Sequence, residues 1–215
     1  MVTEVNSHDD RRPFTTLFPL ARSGTSEALG ELLESYRNYL RVLAAAQVSR
    51  RLSLRMSPSD IVQETMLAAH RDFAEFRGES AGQFSAWLRT ILARSLFRTV
   101  ERHLKAEKRD LRKEISLQSV ASQIESSCCA ISNILQAATL TASSIVMREE
   151  ELVRIYDLLA KLPNDYRDVI VMRNLNSMRF EAIAQQMGRS STAARLLWLR
   201  AIRRLRALND QSEIP

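Results

Sequence analysis

Arginine is the side chain with the most chemistry to offer in this sequence. Five arginines (Arg195, Arg200, Arg203, Arg204 and Arg206) and no acid lie between positions 195 and 206. A second run, 89–113, holds nine basic and three acidic side chains. A guanidinium is always charged, and its planar fork fits phosphate oxygens and the guanine edge better than an ammonium does. Runs of this kind suit the binding of a polyanion rather than the making or breaking of bonds. The whole chain agrees: of 31 Lys+Arg among 215 residues, 27 are Arg, against 25 Asp+Glu, for a net charge of +6.

Catalytic and metal chemistry find little footing. His8, His70 and His103 are far apart and lack metal-ligand spacing. There is no phosphate loop, no glycine-rich nucleotide fingerprint and no nucleophile elbow. The expectation is a protein that is not an enzyme and needs no cofactor and no metal. Cys128 and Cys129 are adjacent, a strained geometry for a bridge, so no disulfide framework is expected and a reducing cytoplasm fits. No run of about 18 apolar residues exists to span a membrane. The first twelve residues are polar and charged, unlike a signal peptide. A cytoplasmic protein without membrane insertion is therefore expected.

The charge pattern says which elements must position the arginines. Residues 1–114 carry 19 basic and 15 acidic side chains, and residues 148–215 carry 12 and 9. Between them, 115–147 carry one charge, Glu125. Two basic lobes joined by a neutral linker follow, with Ile131, Ile134, Leu135 and Ala138 at the spacing of a short helix. Strand signals are nearly absent, so the fold class expected is all-α: two helical domains joined by a flexible linker. The boundaries expected are a tail at 1–13, a first domain at 14–114, the linker at 115–148, a second domain at 149–209 and a tail at 210–215.

Apolar spacing predicts helices within 28–48, from Ser57 to near Gly78, and from near Phe84 towards Lys113. Ser57-Pro58-Ser59-Asp60 has the composition of a helix start. The stripe Ile61, Val62, Thr65, Met66, Ala69 and Phe73 follows it. On the long basic helix, Arg94, Arg98, Arg102, Lys105 and Arg109 alternate with Leu92, Leu96 and Val100, which places phosphate binding on one face and packing on the other. Phe84, Trp87 and Phe97 fall on or beside the apolar stripe, so core packing is favoured over base stacking.

In the second lobe, helices are predicted at 149–161 and 165–173, then a short helix, a tight turn and a last helix over 191–208. A helix-turn-helix needs a small residue where its helices cross and a residue tolerant of positive φ at the turn. Ala184 and Gly188 supply these at the right separation. Ile183, Met187, Ala194 and Leu197 supply contacts, and Ser190 caps the second helix. That helix presents Ala194, Leu197, Trp198, Ala201 and Leu205 inward. Ser191 stands at its start, and Thr192, Arg195, Leu196, Leu199 and Arg203 face outward with Arg200 at the margin. An outward face so loaded with Arg reads as a DNA-binding surface.

Three stretches carry a resemblance. They are Asp60-Ile61-Val62-Gln63-Glu64-Thr65-Met66, Phe73-Ala74-Glu75-Phe76-Arg77-Gly78 and Phe84-Ser85-Ala86-Trp87-Leu88. Together they resemble region 2 of the sigma-70 family, and more narrowly its extracytoplasmic-function (ECF) group. Leu162-Pro163, Tyr166-Arg167, Val169-Ile170 and Met172-Arg173 precede the helix-turn-helix as in that family's region 4. Arg195, the run from Trp198 to Ala201, and Leu205-Arg206 match its closing helix. The resemblance spans about 14–113 and 149–208.

The resemblance implies a sigma factor that binds core RNA polymerase and directs promoter recognition, DNA melting and transcription initiation. It implies that Asp60, Gln63 and Glu64 meet the polymerase β′ clamp helices, that the β flap is a further part of the polymerase contacted, and that the linker threads towards the RNA exit path. It implies −10 DNA contacts at Ser80, Gln83, Arg94, Arg98 and Arg102. For the −35 element it implies Ser191, Thr192, Arg195, Leu196, Leu199, Arg200 and Arg203. The partners implied are core polymerase, promoter DNA and an anti-sigma factor. Ser177 and Thr192 stand where relatives commonly have Gly, and Arg179 where a capping Ser is common. The main alternative is an autonomous helix-turn-helix regulator that binds duplex DNA without polymerase.

Overall fold

The computed structural model describes residues 12–50, 57–106, 116–136 and 145–212. Regular structure among them is helical throughout: α1 (Phe14–Arg22), α2 (Ser26–Ser35), α3 (Arg37–Arg50), α4 (Pro58–Asp72), α5 (Ala81–Ala106), α6 (Leu117–Gln136), α7 (Ile145–Lys161), α8 (Asn164–Ile170), α9 (Phe180–Met187) and α10 (Ser191–Ser212). A 3-10 turn, Phe73–Glu75, follows α4, and a π turn, Val171–Leu175, follows α8. The first helical domain is built from α1 to α5, and the second from α7 to α10.

Aromatic packing organises the first domain. Phe18 meets Phe73, Phe76 and Phe84 with ring centroids 6.1–6.5 Å apart. Trp87 closes on Phe76 at 5.0 Å and Phe84 at 5.6 Å. Phe84 is fully buried and Trp87 packs against the core, as expected, whereas Phe97 is half-buried beside it. This cluster corrects one boundary. Helix α4 ends at Asp72 rather than near Gly78, because the chain turns there to send Phe73 and Phe76 inward. Gly78 is needed for close approach: a Cβ would lie 2.4 Å from the Phe76 ring and 2.8 Å from Gln83 Cβ. Arg22 lies over the rings of Phe18, Phe73 and Phe76 and donates to the Gly78 carbonyl at 2.8 Å, which pins this loop.

Two helix starts differ from expectation. Ser57 occupies the cap position of α4 but its side chain makes no capping bond, and Pro58 fills the first turn. Helix α5 starts at Ala81, three residues before Phe84, because Ser80 and Gln83 form a capping box. Ser80 Oγ accepts from the Gln83 N–H at 3.2 Å, and Gln83 Oε1 accepts from the N–H groups of Glu79 and Ser80 at 2.8 and 3.3 Å.

The segment expected to be a flexible linker is, over its described middle, a packed helix. In α6, Val120, Ile124 and Cys128 recur every four residues and are buried, together with Ser127. The expected short helix at Ile131, Ile134 and Leu135 is the end of this longer one, and Ala138 lies outside the described residues. The isolated charge of the segment is also used. Arg89 of α5 donates Nε to Glu125 at 2.6 Å and Nη1 to the Tyr39 hydroxyl at 2.7 Å. Tyr39 in turn packs edge-on against Tyr156 of α7 at 4.8 Å, and Asn38 donates to the buried Asp157 at 2.8 Å. Burial pushes the Tyr39 phenol well above its ordinary pKa. A cleft of about 350 Å³ remains between α3 and the start of α4 on one side and α7 to α9 on the other, lined by Val42, Val48, Ala160, Asp168 and Met172 among others.

In the second domain, the single helix expected at 165–173 is α8 continued by the π turn. The turn ends with Met178 N–H bonded to Met172 C=O at 3.0 Å, which requires a left-handed residue between them. That residue is Ser177, with φ 53°. A non-glycine residue in this region is strained by about 1 kcal/mol. Ser177→Gly is expected to stabilise the protein by about that amount, a rise in melting temperature of about 2–4 °C for a chain of this size. Ser177→Ala, which keeps a Cβ, gives no such rise.

Candidate functional site

Helix α10 is presented by the turn before it. Gly188 ends α9 in the left-handed conformation, φ 63° and ψ 36°, and the Arg189 N–H returns to the Ala184 carbonyl at 2.9 Å. Ser190 then caps α10, its Oγ accepting from the Ala193 N–H at 3.2 Å. Ile183, Ala184, Ala194, Leu197, Ala201 and Leu205 are buried between the helices. Met187 and Trp198 are half-buried, and the indole N–H donates to Asn174 at 2.9 Å.

The opposite face is open. Thr192, Arg195, Leu196, Leu199, Arg200 and Arg203 are all exposed, as the periodicity predicts. Ser191 is half-buried and its hydroxyl donates to Glu181 at 3.4 Å. Leu196 and Leu199 stand among the exposed large apolar side chains of the described residues. Apolar groups between arginines on a groove-sized helix suit thymine methyls beside guanine acceptors and phosphates.

Helix α5 carries a second basic face. Arg94 and Arg98 are exposed, about one turn apart, while Ile91, Leu92, Ser95 and Leu96 are buried behind them. The hydrogen bond from Arg71 holds the Asp72 carboxyl below its ordinary pKa, and the charges of Arg94 and Arg98 add to that effect. Lys105 and Arg109 lie outside the described side chains. Ser80 and Gln83, named from the sequence for DNA, are engaged in the capping box at the start of this helix.

The third face is on α4. Ile61, Val62, Thr65 and Ala69 are buried, which turns Asp60, Gln63 and Glu64 outward on one side. Asp60 and Gln63 are exposed, whereas Glu64 is paired with Arg102 of α5, 2.9 Å from Oε2 and 3.1 Å from Oε1. Two residues that the sequence reading gave to different partners are thus in contact with each other. Leu67, one turn beyond Gln63 and Glu64, completes this face and is 66% exposed. The sequence reading did not name it. The signal was present, since a Leu three residues beyond Glu64 sits off the apolar stripe. Phe180 and Arg173 were missed as well. Arg195 lies over the Phe180 ring at 5.3 Å, and Arg173 lies over the same ring at 4.7 Å.

No three His, Cys, Asp or Glu side chains among the described residues are grouped to hold a metal ion. No described helix is long and apolar enough to cross a membrane.

Comparison with known proteins places both domains. The family model described as "Sigma-70 region 2" matches residues 33–109, and that described as "Sigma-70, region 4" matches residues 152–205. Over 166 residues the chain is 28% identical to the "ECF RNA polymerase sigma-E factor" of Haemophilus influenzae, covering 77% of this chain and 79% of that protein. It is 22% identical, again over 166 residues, to the "RNA polymerase sigma-H factor" of Bacillus subtilis, covering 77% and 74%.

Proposed function

Because the chain belongs to the sigma-70 family, in its extracytoplasmic-function group, we propose that it binds core RNA polymerase through the α4 face and brings the enzyme to promoters read by α10. The observation that carries this is the division of labour on the surface. The exposed face of α4 offers Asp60, Gln63 and Leu67, a mixed acidic, amide and apolar patch suited to a basic protein partner. The exposed face of α10 offers arginines without an acid between positions 195 and 206, suited to a duplex groove. An autonomous DNA-binding protein has no need of the first face.

On this reading the β′ clamp helices meet Asp60, Gln63, Glu64 and Leu67, and the β flap meets region 4. Arg195 reaches base edges of the −35 element, because it lies in the first two turns of α10, while Arg203 further along holds phosphate. Arg94 and Arg98 accept the backbone of the −10 strand as it is melted. The chain positions and opens DNA, while the polymerase carries the chemistry. An anti-sigma factor is a further partner within the proposal, and the cytoplasm its place of action.

The direct test adds the purified chain to core polymerase and measures promoter-dependent transcription in vitro. Specific duplex binding without polymerase, and no transcription with it, would replace this reading by an autonomous regulator. The α5 face has its own test. Arg94→Ala and Arg98→Ala should each lower the salt slope of promoter binding by about 0.7–0.9. Arg102→Ala should lower it by less, because Arg102 already pairs with Glu64. Equal slopes for wild type and the Arg94 and Arg98 variants would remove α5 from the DNA contact.

A further inference from the structure

The arginine best placed to read a base does not project freely from its helix. The Arg195 guanidinium carbon lies 5.3 Å from the centre of the Phe180 ring, the first residue of α9. The same ring receives Arg173 at 4.7 Å. Arg173 is itself fixed, donating Nη1–H to the Met178 carbonyl at 2.8 Å. Trp198 holds the ring from another side, edge-on at 6.0 Å, and its indole N–H is tied to Asn174 at 2.9 Å. The ring is therefore held by residues of the π turn and of α10, and Arg195 rests on a part of the protein that is already in place.

We propose that Phe180 is a positioning residue for promoter reading: its ring seats the Arg195 guanidinium and sets where that side chain enters the DNA groove. The inference rests on the reading of Arg195 as a base contact given above. Attraction between a guanidinium and an aromatic face uses no conventional acceptor, so the N–H donors of Arg195 remain for a base edge. An exposed arginine otherwise samples many rotamers, and a ring that narrows them lowers the ordering cost of a bidentate base contact. A second cation on the same ring gives direction as well. Arg173 takes one place on Phe180, and repulsion between like charges keeps Arg195 from folding back towards the π turn. The effect expected is on discrimination at one base pair, since only Arg195 changes its aim.

The test is selection of promoters from a pool randomised in the upstream element. It uses reconstituted holoenzymes carrying the wild-type chain, Arg195→Ala, Phe180→Leu, Phe180→Met, Phe180→Tyr, or Phe180→Leu combined with Arg195→Ala. Leu and Met keep apolar bulk and remove the ring, and the one that melts at the wild-type temperature is used. Loss of preference, about tenfold, at the same single position that Arg195→Ala relaxes is expected. Phe180→Tyr retains the preference, and the double variant is no worse than Arg195→Ala alone. If the ringless variant weakens all upstream sequences alike and keeps the wild-type preference, Phe180 supports only the fold and the inference is overturned. If Arg195→Ala itself leaves the preference unchanged, Arg195 is not a base reader. The underlying reading of α10 then fails first, an outcome distinct from failure of Phe180 alone.

Discussion

Asp60→Lys combined with Leu67→Asp is expected to lower affinity for core polymerase about a thousandfold while lowering the melting temperature by no more than about 4 °C. Leu67 is 66% exposed and Asp60 is exposed, so the folded protein loses little when either is replaced. Surface changes away from packing or caps usually stay within about 0.5 kcal/mol, and a base replacing Asp60 in the first turn of α4 adds about 1 kcal/mol against the helix dipole. At an interface the same positions weigh far more. Burying a leucine contributes about 1.5–3 kcal/mol, and replacing an acid by a base opposite a cationic partner costs more again. A combined loss of about 4 kcal/mol is about a thousandfold in the dissociation constant.

The choice of Leu67 over Glu64 follows from the structure. Glu64 is paired with Arg102, so Glu64→Lys would also set two cations of α4 and α5 against each other. A binding defect in that variant would have two causes, whereas Asp60 and Leu67 carry no such coupling among the contacts described. The measurement is a titration of core polymerase with labelled protein, with thermal melting as the control for folding. Wild-type affinity in the double variant would show that polymerase does not dock on this face of α4.

What the sequence revealed and what it concealed divide along physical lines. The outward face of α10 was legible because helical period and residue type both pointed the same way: buried Ala194, Leu197 and Ala201 repeat at three and four residues, and the arginines fall between them. Gly188 was legible because the turn demands positive φ. Helix α6 was underestimated because its signal is partly one of absence. With one charge over 115–147, weak polarity was read as linker, although Val120, Ile124 and Cys128 keep a helical stripe whose partners lie far away in sequence. The pairing of Arg89 with Tyr39 and Glu125, like that of Arg102 with Glu64, joins residues 36 to 50 positions apart. No local pattern encodes such pairs. The capping box of Ser80 and Gln83 is the opposite case, since its four-residue pattern was visible and was passed over in favour of a DNA role.

Tying residue 38 to residue 157 is expected to stop promoter-dependent transcription without preventing polymerase binding. Asn38 and Asp157 meet across the two domains, with 2.8 Å between Nδ2 and Oδ1, so their side chains converge. The change would be Asn38→Cys with Asp157→Cys in a chain also carrying Cys128→Ser and Cys129→Ser, joined by a disulfide or a short reducible crosslinker. The reason is one of reach. A compact chain of this length has a radius of gyration of about 17 Å, which for a sphere is about 45 Å across. Elements named −35 and −10 lie about 25 base pairs apart, which is about 85 Å of duplex at about 3.4 Å per pair. Domains packed through Tyr39, Tyr156 and α6 cannot touch both at once, so the proposed function requires this packing to come apart. Several features suit it to do so. The cleft of about 350 Å³ leaves part of the contact unfilled, and Glu125 is half exposed where it holds Arg89. The α4 face proposed for polymerase, at Asp60, Gln63 and Leu67, is open in the closed form, so docking can precede opening, and the binding energy of polymerase and DNA then favours the separated state. In the oxidised, linked protein, transcription should fall at least tenfold with near-normal affinity for core enzyme, and a reductant should restore it. Initiation at the reduced protein's rate while the link is intact would mean that both elements are read without separating residues 38 and 157, and that the closed packing is itself the working form.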